Sequence, residues 1–166
     1  MVSVRIAGMV QDSIVDGPGL RFVVFTQGCD SCCDGCHNPE TWDKKGGSEA
    51  SADEIIAEML QNPLTDGLTL TGGEPFLQAG ECALLANAAR ENGLNVWLFT
   101  GYTFEELVIM AQSDKPIESL LKLADVLVDG RFIKEERTLQ LKWRGSKNQR
   151  VIDARKSLVS GEAVVL

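Results

Sequence analysis

Short apolar runs that end at a glycine or a polar residue recur along the chain, and they predict five β-strands. The predicted strands are residues 20–26, 67–71, 94–100, 125–128 and, most weakly, 150–152. Two further apolar stretches are expected to cover the edges of the sheet. They are an N-terminal ribbon of residues 2–7 with 13–15, and a C-terminal pair near Leu158 and residues 164–166.

Helical patterns fill the intervals between the strands, and their ends carry physical signals. A serine or threonine followed three residues later by glutamate is the pattern of a capping box, and it precedes two apolar runs at helical spacing. The two pairs are Ser51 with Glu54 and Thr103 with Glu106. A third helix is predicted for residues 76–92, with Gly93 as its C-terminal cap.

Strands that alternate with helices indicate parallel pairing through right-handed crossovers. A closed eight-unit barrel takes about 250 residues, whereas this chain has 166. The pattern therefore predicts an α/β fold with one domain over residues 1–166. We expect a partial, open TIM-like β/α barrel of about five parallel strands with helices on the outer face. Ligands bind at the carboxyl ends of such strands, and the unusual motifs of this chain begin at those ends.

The excess of acidic over basic side chains limits which kinds of molecule the protein is expected to bind. There are 16 Lys and Arg against 24 Asp and Glu, a net charge of −8, which argues against general affinity for nucleic acid or anionic membranes. No apolar run suits a membrane span or a signal peptide, so a soluble, cytoplasmic protein is expected. Residues 131–166 nevertheless carry nine basic and four acidic side chains (+5), whereas residues 1–130 carry seven and 20 (−13).

Four of the five cysteines lie within eight residues, in the sequence CDSCCDGC at residues 29–36. Cys29, Cys33 and Cys36 have the spacing C-x3-C-x2-C, which suits a 4Fe-4S cluster with three cysteine ligands and one iron open to substrate. A zinc site made of the pairs Cys29/Cys32 and Cys33/Cys36, or another type of cluster, is the alternative. Cys32 is then most simply a bystander, and Cys82 a small buried apolar residue.

The second predicted strand ends in TGGEP, residues 71–75. Its glycines allow the backbone to approach a ligand closely, and Pro75 restricts Glu74 to an extended conformation. An exposed backbone edge beside a carboxylate suits a ligand that carries an ammonium group. A simple turn is the equally weighted alternative.

The cysteine motif after the first strand and GGEP after the second resemble the radical S-adenosylmethionine superfamily. DGPGLRF at residues 16–22, QGC at 27–29 and CHNPETW at 36–42 resemble the activating enzymes of glycyl radical proteins. GYTFE at 101–105, DVLVDGRF at 125–132 and RGSKNQRVID at 144–153 resemble the branch that acts on the anaerobic ribonucleoside-triphosphate reductase. The resemblance covers residues 12–154.

The resemblance implies a site for one 4Fe-4S cluster and for S-adenosylmethionine, with no side chain acting as general acid or base. The cluster ligands would be Cys29, Cys33 and Cys36, without Cys32. The segment Gly72, Gly73 and Glu74 would hold the methionine amino group. Gly35 stands where many superfamily members have an aromatic residue near adenine, beside Cys36. The remaining cofactor contacts would be Thr100, Asp129 and Arg131, to ribose and carboxylate, although a structural salt bridge is the alternative for the last two. His37 would support the cluster from the second sphere or contact a partner.

The implied reaction is reductive cleavage of S-adenosylmethionine, followed by abstraction of a hydrogen atom from a glycine of the large reductase subunit. A flavodoxin-like or ferredoxin-like protein would supply the electron. The +5 segment, residues 131–166, is expected to face the anionic end of the cofactor and the protein partner. The alternatives are an activase of pyruvate formate-lyase or another glycyl radical enzyme, a small-molecule radical enzyme, and a non-catalytic zinc or iron-sulfur protein.

Overall fold

The computed structural model describes residues 2–31, 33–36 and 38–166, and its strands form one seven-stranded sheet. The strands are β1 (Ser3–Ser13), β2 (Arg21–Thr26), β3 (Ser48–Ser51), β4 (Gly67–Gly72), β5 (Asn95–Phe99), β6 (Val126–Asp129) and β7 (Arg150–Asp153). The helices are α1 (Ala52–Met59), α2 (Ala79–Glu91), α3 (Phe104–Ala111), α4 (Lys115–Leu123) and α5 (Ala154–Ser160). The strand order is β3-β1-β2-β4-β5-β6-β7, so that β3 and β7 are the two edges.

The centre of the sheet is parallel and its flanks are antiparallel. Strands β2, β4, β5 and β6 pair in parallel, whereas β1 and β3 on one side and β7 on the other are antiparallel. The open α/β sheet is as predicted, but four strands are parallel rather than about five. A parallel partner requires a long crossover, usually a helix. Residues 130–149, all of them described, contain no α-helix but only the 3₁₀ turn Lys134–Glu136 and an isolated bridge between Arg137 and Ser146, so the chain turns back beside β6.

The two predicted edge segments are found in part. The N-terminal ribbon is the single eleven-residue strand β1, which pairs with both β2 and β3. At the other edge Val165 forms a bridge with Ile152, as predicted for the C-terminal segment. Leu158, however, lies in α5 and not in a strand, because Asp153 caps a helix directly after β7 by accepting a hydrogen bond from the Lys156 N–H at 2.9 Å.

The predicted helix caps are present, and the boundaries of one predicted helix differ from the prediction. Thr103 and Glu106 form the complete capping box of α3, and the Ser51 hydroxyl caps α1 by accepting from the Glu54 N–H at 3.1 Å. The predicted helix 76–92 divides into a 3₁₀ turn, Pro75–Gln78, and α2, followed by Gly93 at φ +77°. Helix α4, capped by Asp114, was not among the predicted elements.

All five helices contribute side chains to one large core that covers one face of the sheet. The buried strand residues of this core alternate along the chain and are Val4, Ile6, Phe22, Val24, Leu68, Leu70, Val96, Leu98, Leu127 and Ile152. The opposite face has a smaller cluster of Trp97, Val128 and Val151 with Phe99, Val126 and Trp143, which includes no residue of the described helices. The second face is therefore the one on which a ligand site can open.

Arg21 closes the second face near the amino ends of the parallel strands. It is fully buried, and its guanidinium donates to the Thr69 hydroxyl at 2.7 Å, to the Asn95 side-chain oxygen at 2.7 Å and to the carbonyls of Leu68 and Pro18, both at 2.9 Å. It also lies 5.6 Å from the ring centroid of Trp97. Burial lowers the pKa of Arg21 to about 10, so the group remains a cation at neutral pH.

No described helix has the length and apolar character needed to cross a membrane.

Replacing Arg21 with Met is expected to lower the free energy of unfolding by about 3–5 kcal/mol, because several buried acceptors lose their donor at once. Chemical denaturation of the cluster-free protein measures this loss. Arg155→Met is the matched control, since Arg155 makes a half-exposed ion pair with Asp125 at 3.0 Å and such a pair contributes about 1 kcal/mol or less. Equal effects of the two substitutions would contradict the structural role of Arg21.

Candidate functional site

A cavity of about 220 Å³ lies at the carboxyl ends of the parallel strands, where the motifs were predicted to converge. Of the predicted site residues, it is lined by Cys29, Cys33, Cys36, Gly72, Gly73, Glu74 and Thr100. Gly35, Asp129 and Arg131 are not part of this lining. Asp129 and Arg131 instead line a neighbouring groove of about 660 Å³, which shares Gly101 and Gly130 with the cavity.

Backbone hydrogen bonds hold the cysteine loop at both of its ends. The N–H groups of Gly28 and Cys29 donate to the carbonyls of Thr41, at 2.6 Å, and Trp42, at 3.3 Å. These two bonds close the base of the loop directly after β2. This closure places three cysteines that are close in sequence around one cavity.

Backbone donors and one cation lie near two of the cysteine sulfurs. The backbone N–H of Asn38 donates to the Cys36 sulfur at 3.4 Å. Burial raises the pKa of Cys33, while a hydrogen bond from the Phe132 backbone and the charge of Arg131 act in the opposite direction. Backbone donors and a nearby cation stabilise thiolates, which are the form that binds iron.

The glycine pair after β4 packs directly against the start of the cysteine loop. The N–H groups of Gly73 and Glu74 donate to the carbonyls of Thr26, at 2.8 Å, and Gly28, at 2.7 Å. A Cβ atom on Gly73 would lie 2.3 Å from the Gly28 oxygen, and Gly72 has φ +98°. Only glycine fits at either position, so this motif positions the segment that leads into Cys29.

The Glu74 side chain joins the ends of β4 and β5. It is buried and accepts hydrogen bonds from the Thr100 hydroxyl and the Gly101 N–H, both at 2.8 Å, and from the Phe76 N–H at 3.1 Å. Burial raises the pKa of Glu74 to about 7, and the three donors partly counter that shift. The carboxyl group therefore fixes two walls of the cavity relative to each other.

Asp129, at the end of β6, has both oxygens engaged by protein groups. It is 1% exposed, accepts a hydrogen bond from the Phe104 N–H at 2.8 Å, and forms an ion pair with Arg150, which also binds Glu105. This arrangement ties β6 to β7 and to the first turn of α3. Arg131, by contrast, is exposed at the rim of the neighbouring groove.

Three aromatic residues that were not predicted also line the cavity: Phe99, Phe132 and Trp143. Gly35 has φ +75°, and a Cβ atom there would lie 3.3 Å from the Phe132 ring. Phe132 therefore occupies space beside Gly35 on the cysteine loop. The DGRF motif contained this residue, but only the fold brings it to the cysteines.

Trp143 reaches the cavity from an irregular loop. Its backbone has φ +61°, which is uncommon for a residue with a side chain, and its ring packs edge-to-face on Trp97 at a centroid distance of 4.9 Å. Because Trp97 also lies beside Arg21, the stack connects the closed part of the sheet face to the cavity. No periodic pattern in the sequence identifies such a residue.

The other cysteines and the histidine have different positions relative to the site. Cys82 is fully buried in α2 within the main core, where burial strongly raises the pKa of its thiol. Cys32 and His37, for which a bystander role and a supporting role were predicted, lie outside the described residues.

The residues around the cavity fit a cubane cluster. Three half-buried cysteines share one cavity, and backbone donors face two of their sulfurs. In the described ranges, no three His, Cys, Asp or Glu residues form a group suited to a single metal ion. In a cubane each cysteine binds a different iron, so its three ligands need not converge on one point.

Comparisons with known proteins point to the same cofactor. The family model of the 4Fe-4S single cluster domain matches residues 15–152. The anaerobic ribonucleoside-triphosphate reductase-activating protein of Vibrio cholerae is 39% identical over 144 residues, which are 82% of this chain and 89% of that protein. The proteins of the same name from Enterobacteria phage T4 and Escherichia coli K12 are 38% and 34% identical, over 82% of this chain and 86% and 90% of their own.

A solved structure supports the fold. QueE from Escherichia coli superposes with a TM-score of 0.51 and 22% identity, over 61% of this chain and 53% of that one. This chain thus covers about half of the QueE chain. At this level of identity the similarity concerns the fold alone.

The raised pKa of Glu74 predicts a specific dependence of stability on pH. Between the ordinary value of 4.5 and about 7, the unfolded chain releases the proton while the folded protein keeps it. The free energy of unfolding is therefore expected to fall by about 3 kcal/mol as pH rises through this window. Glu74→Gln removes this contribution, so the stability difference between the two proteins should change with pH.

Denaturation of the cluster-free proteins at several pH values measures that difference. Glu162→Gln, at an exposed position near the C-terminus, controls for the loss of one carboxylate. A difference between wild type and Glu74→Gln that stays constant from pH 4.5 to 8 would show that Glu74 is ionised throughout.

Proposed function

Because the chain belongs to the family of anaerobic ribonucleoside-triphosphate reductase-activating proteins, we propose that it activates that reductase by generating a glycyl radical. It does so by reductive cleavage of S-adenosylmethionine at a 4Fe-4S cluster, within one domain over residues 1–166. The observation that carries this proposal is the single cavity shared by Cys29, Cys33, Cys36 and the Gly72-Gly73-Glu74 segment.

Cys29, Cys33 and Cys36, which line one cavity, would hold the cluster through three of its four irons. When bound, the reduced cluster supplies the electron that splits S-adenosylmethionine into methionine and a 5′-deoxyadenosyl radical, which takes a hydrogen atom from a glycine of the reductase. The residues of this chain bind, orient and shield the reactants. None of them is required to transfer a proton.

The cofactor contacts proposed from the motifs have different kinds of support. Gly72, Gly73 and Glu74 line the cavity and would place backbone carbonyls beside the methionine ammonium group. Thr100 lines the same wall, with its hydroxyl committed to Glu74. Gly35 would contribute to the pocket through its contact with Phe132, beside Cys36.

The groups proposed for ribose and carboxylate lie along the border between the cavity and the neighbouring groove. Asp129 is already paired with Arg150, so a ribose hydroxyl would have to share that carboxylate. Arg131 is exposed and its charge acts on Cys33, which supports a position near the cofactor carboxylate. Arg144 has a buried Nε without an acceptor among the described residues, and it lies between two cavity-lining residues. It is a further cation for that carboxylate.

A protein substrate requires an accessible cavity. We infer that the open sheet curves as an incomplete barrel, and that the missing strands leave a lateral opening for the glycine-bearing segment of the reductase. The partner would complete the enclosure and exclude water from the radical. A flavodoxin-like or ferredoxin-like protein would deliver the electron.

Anaerobic reconstitution tests the proposed function. With iron and sulfide the protein should bind about four irons. On reduction with S-adenosylmethionine it should release 5′-deoxyadenosine and, with the large reductase subunit, produce a glycyl radical doublet in electron paramagnetic resonance. A doublet only with pyruvate formate-lyase would reassign the partner, and tight zinc binding without cleavage would exclude the activase class.

The cysteine assignment predicts opposite outcomes for neighbouring residues. Cys33→Ala should lose the cluster, as measured by iron content and the visible absorption of the reconstituted protein, because one iron loses its protein ligand. Cys32→Ala, which removes the adjacent thiol, is the matched control and should retain iron, 5′-deoxyadenosine formation and radical yield. Loss of iron in both variants would favour a site with four cysteine ligands.

The basic C-terminal segment predicts salt-dependent association with the reductase. Neutralising Lys142, Arg144 and Lys147 with Gln should weaken binding and flatten its dependence on ionic strength, because exposed charges are screened by salt. Sedimentation velocity at several salt concentrations measures both quantities. The corresponding triple substitution at Lys115, Lys122 and Arg155, all on helices, is the control. Unchanged affinity and salt dependence would show that the segment does not face the partner.

A further inference from the structure

The excursion between β6 and β7 contains a small closed loop, residues 137–146. A β-bridge joins Arg137 to Ser146, and the Thr138 N–H donates to the Gly145 carbonyl at 3.0 Å. Just outside the bridge, the Lys147 N–H donates to the Glu136 carbonyl at 2.9 Å. These contacts define the base of the loop, and residues 139–142 form its exposed tip.

The tip exposes apolar side chains. Leu139 is 86% exposed and Leu141 is 38% exposed, with the polar Gln140 between them. Single exposed leucines are common on protein surfaces. Here, however, Leu139 and Leu141 lie on one loop. Because hydrogen bonds fix the base of that loop, the loop cannot easily move to bury both leucines against the rest of the protein.

The loop is also strongly cationic. Residues 137–146 include three basic side chains, Arg137, Lys142 and Arg144, and no carboxylate, while Lys147 directly follows them and Glu135 and Glu136 directly precede them. None of these four basic side chains takes part in an ion pair within the described part of the chain. Outside residues 137–147 the chain carries 12 Lys and Arg against 24 Asp and Glu. Two exposed leucines on a loop that also carries unpaired cations suit an acidic surface with an apolar centre.

The base of the loop is part of the cavity wall. Trp143 and Gly145 line the cavity together with the three cluster cysteines, and so does Gln149 immediately after the loop. The Gln149 side chain accepts from the Gly145 N–H at 2.8 Å and donates to the Gly130 carbonyl at 3.0 Å, which fixes the loop to the end of β6. A protein bound to the tip is therefore held beside the opening to the cavity.

We propose that Leu139 and Leu141, together with the basic side chains of Arg137, Lys142 and Lys147, form the docking surface for the acidic protein that brings the reacting glycine. This inference rests on the proposed function, because that function requires a protein segment to enter the cavity. To that function the inference adds an apolar contact, made by Leu139 and Leu141, and its location beside the cavity. Since this contact is apolar, part of the affinity should persist at high salt, where the cationic contribution is screened.

Substitutions at the tip test this surface in the reconstituted protein. Leu139→Ser with Leu141→Ser removes apolar area without changing charge. Binding to the large reductase subunit, measured by sedimentation velocity at high salt, should weaken at least tenfold. Leu64→Ser is the matched control: Leu64 is 74% exposed and precedes the amino end of β4, at the opposite end of the sheet. It should bind within twofold of wild type.

A second measurement separates docking from chemistry. The tip variant should release 5′-deoxyadenosine at the wild-type rate when reduced with dithionite without the reductase. Its glycyl radical yield should be low at limiting reductase and recover at high reductase concentration. Wild-type affinity in the tip variant would overturn the proposal. The proposal would also be overturned if the tip variant lost only its self-association, or only its reduction by an acidic electron donor. In either case the protein that binds the tip would not be the reductase.

The proposed function and the docking surface can fail separately. A wild-type protein that binds the reductase but forms neither 5′-deoxyadenosine nor a glycyl radical contradicts the proposed function, while tip-dependent binding in that case still supports the surface. Conversely, full radical formation with unchanged affinity in the tip variant supports the function and contradicts the surface.

Discussion

On the face of the sheet that the described helices do not cover, a buried arginine fills the space near the amino ends of the parallel strands. The cavity lies on the same face at their carboxyl ends. The Arg21 guanidinium bonds to β4, β5 and the loop before β2, and it lies beside Trp97. Trp97 in turn packs against Trp143 in the cavity wall. Arg21, Trp97 and Trp143 therefore fill the face from the amino ends of the strands up to the cavity wall. The buried guanidinium is tolerated because its N–H groups have acceptors.

The site depends on contacts between strand ends more than on any single motif. Gly73 is held against the Gly28 carbonyl, which directs the chain into Cys29. Glu74 connects the same turn to Thr100 at the end of β5. The Gly72-Gly73-Glu74 segment, proposed to bind an ammonium group, thus also holds the cysteine loop and the end of β5 in place. A substitution in this segment is therefore expected to affect binding of the cluster and of S-adenosylmethionine together.

Local patterns predicted the elements that depend on near neighbours. The four parallel strands, the cap of α1 and the capping box of α3 follow from apolar runs and from residues within three positions of each other. The direction of β7 did not follow, because it depends on how residues 130–149 return to the sheet. Nor did Leu158, whose apolar character is compatible with either a strand or the helix α5 in which it lies.

The sequence by itself supplied three cysteines at C-x3-C-x2-C spacing and a GGEP motif after the next strand, and the resemblance that these motifs carry implied a 4Fe-4S cluster, which the match to the 4Fe-4S single cluster domain supports. Tertiary structure alone decided which side chains meet around that cofactor. Phe132 lies beside Gly35, 97 positions earlier, and Asp129 is taken up by Arg150. Such pairs are joined by the packing of distant segments, and nothing in the local pattern of either partner specifies the other.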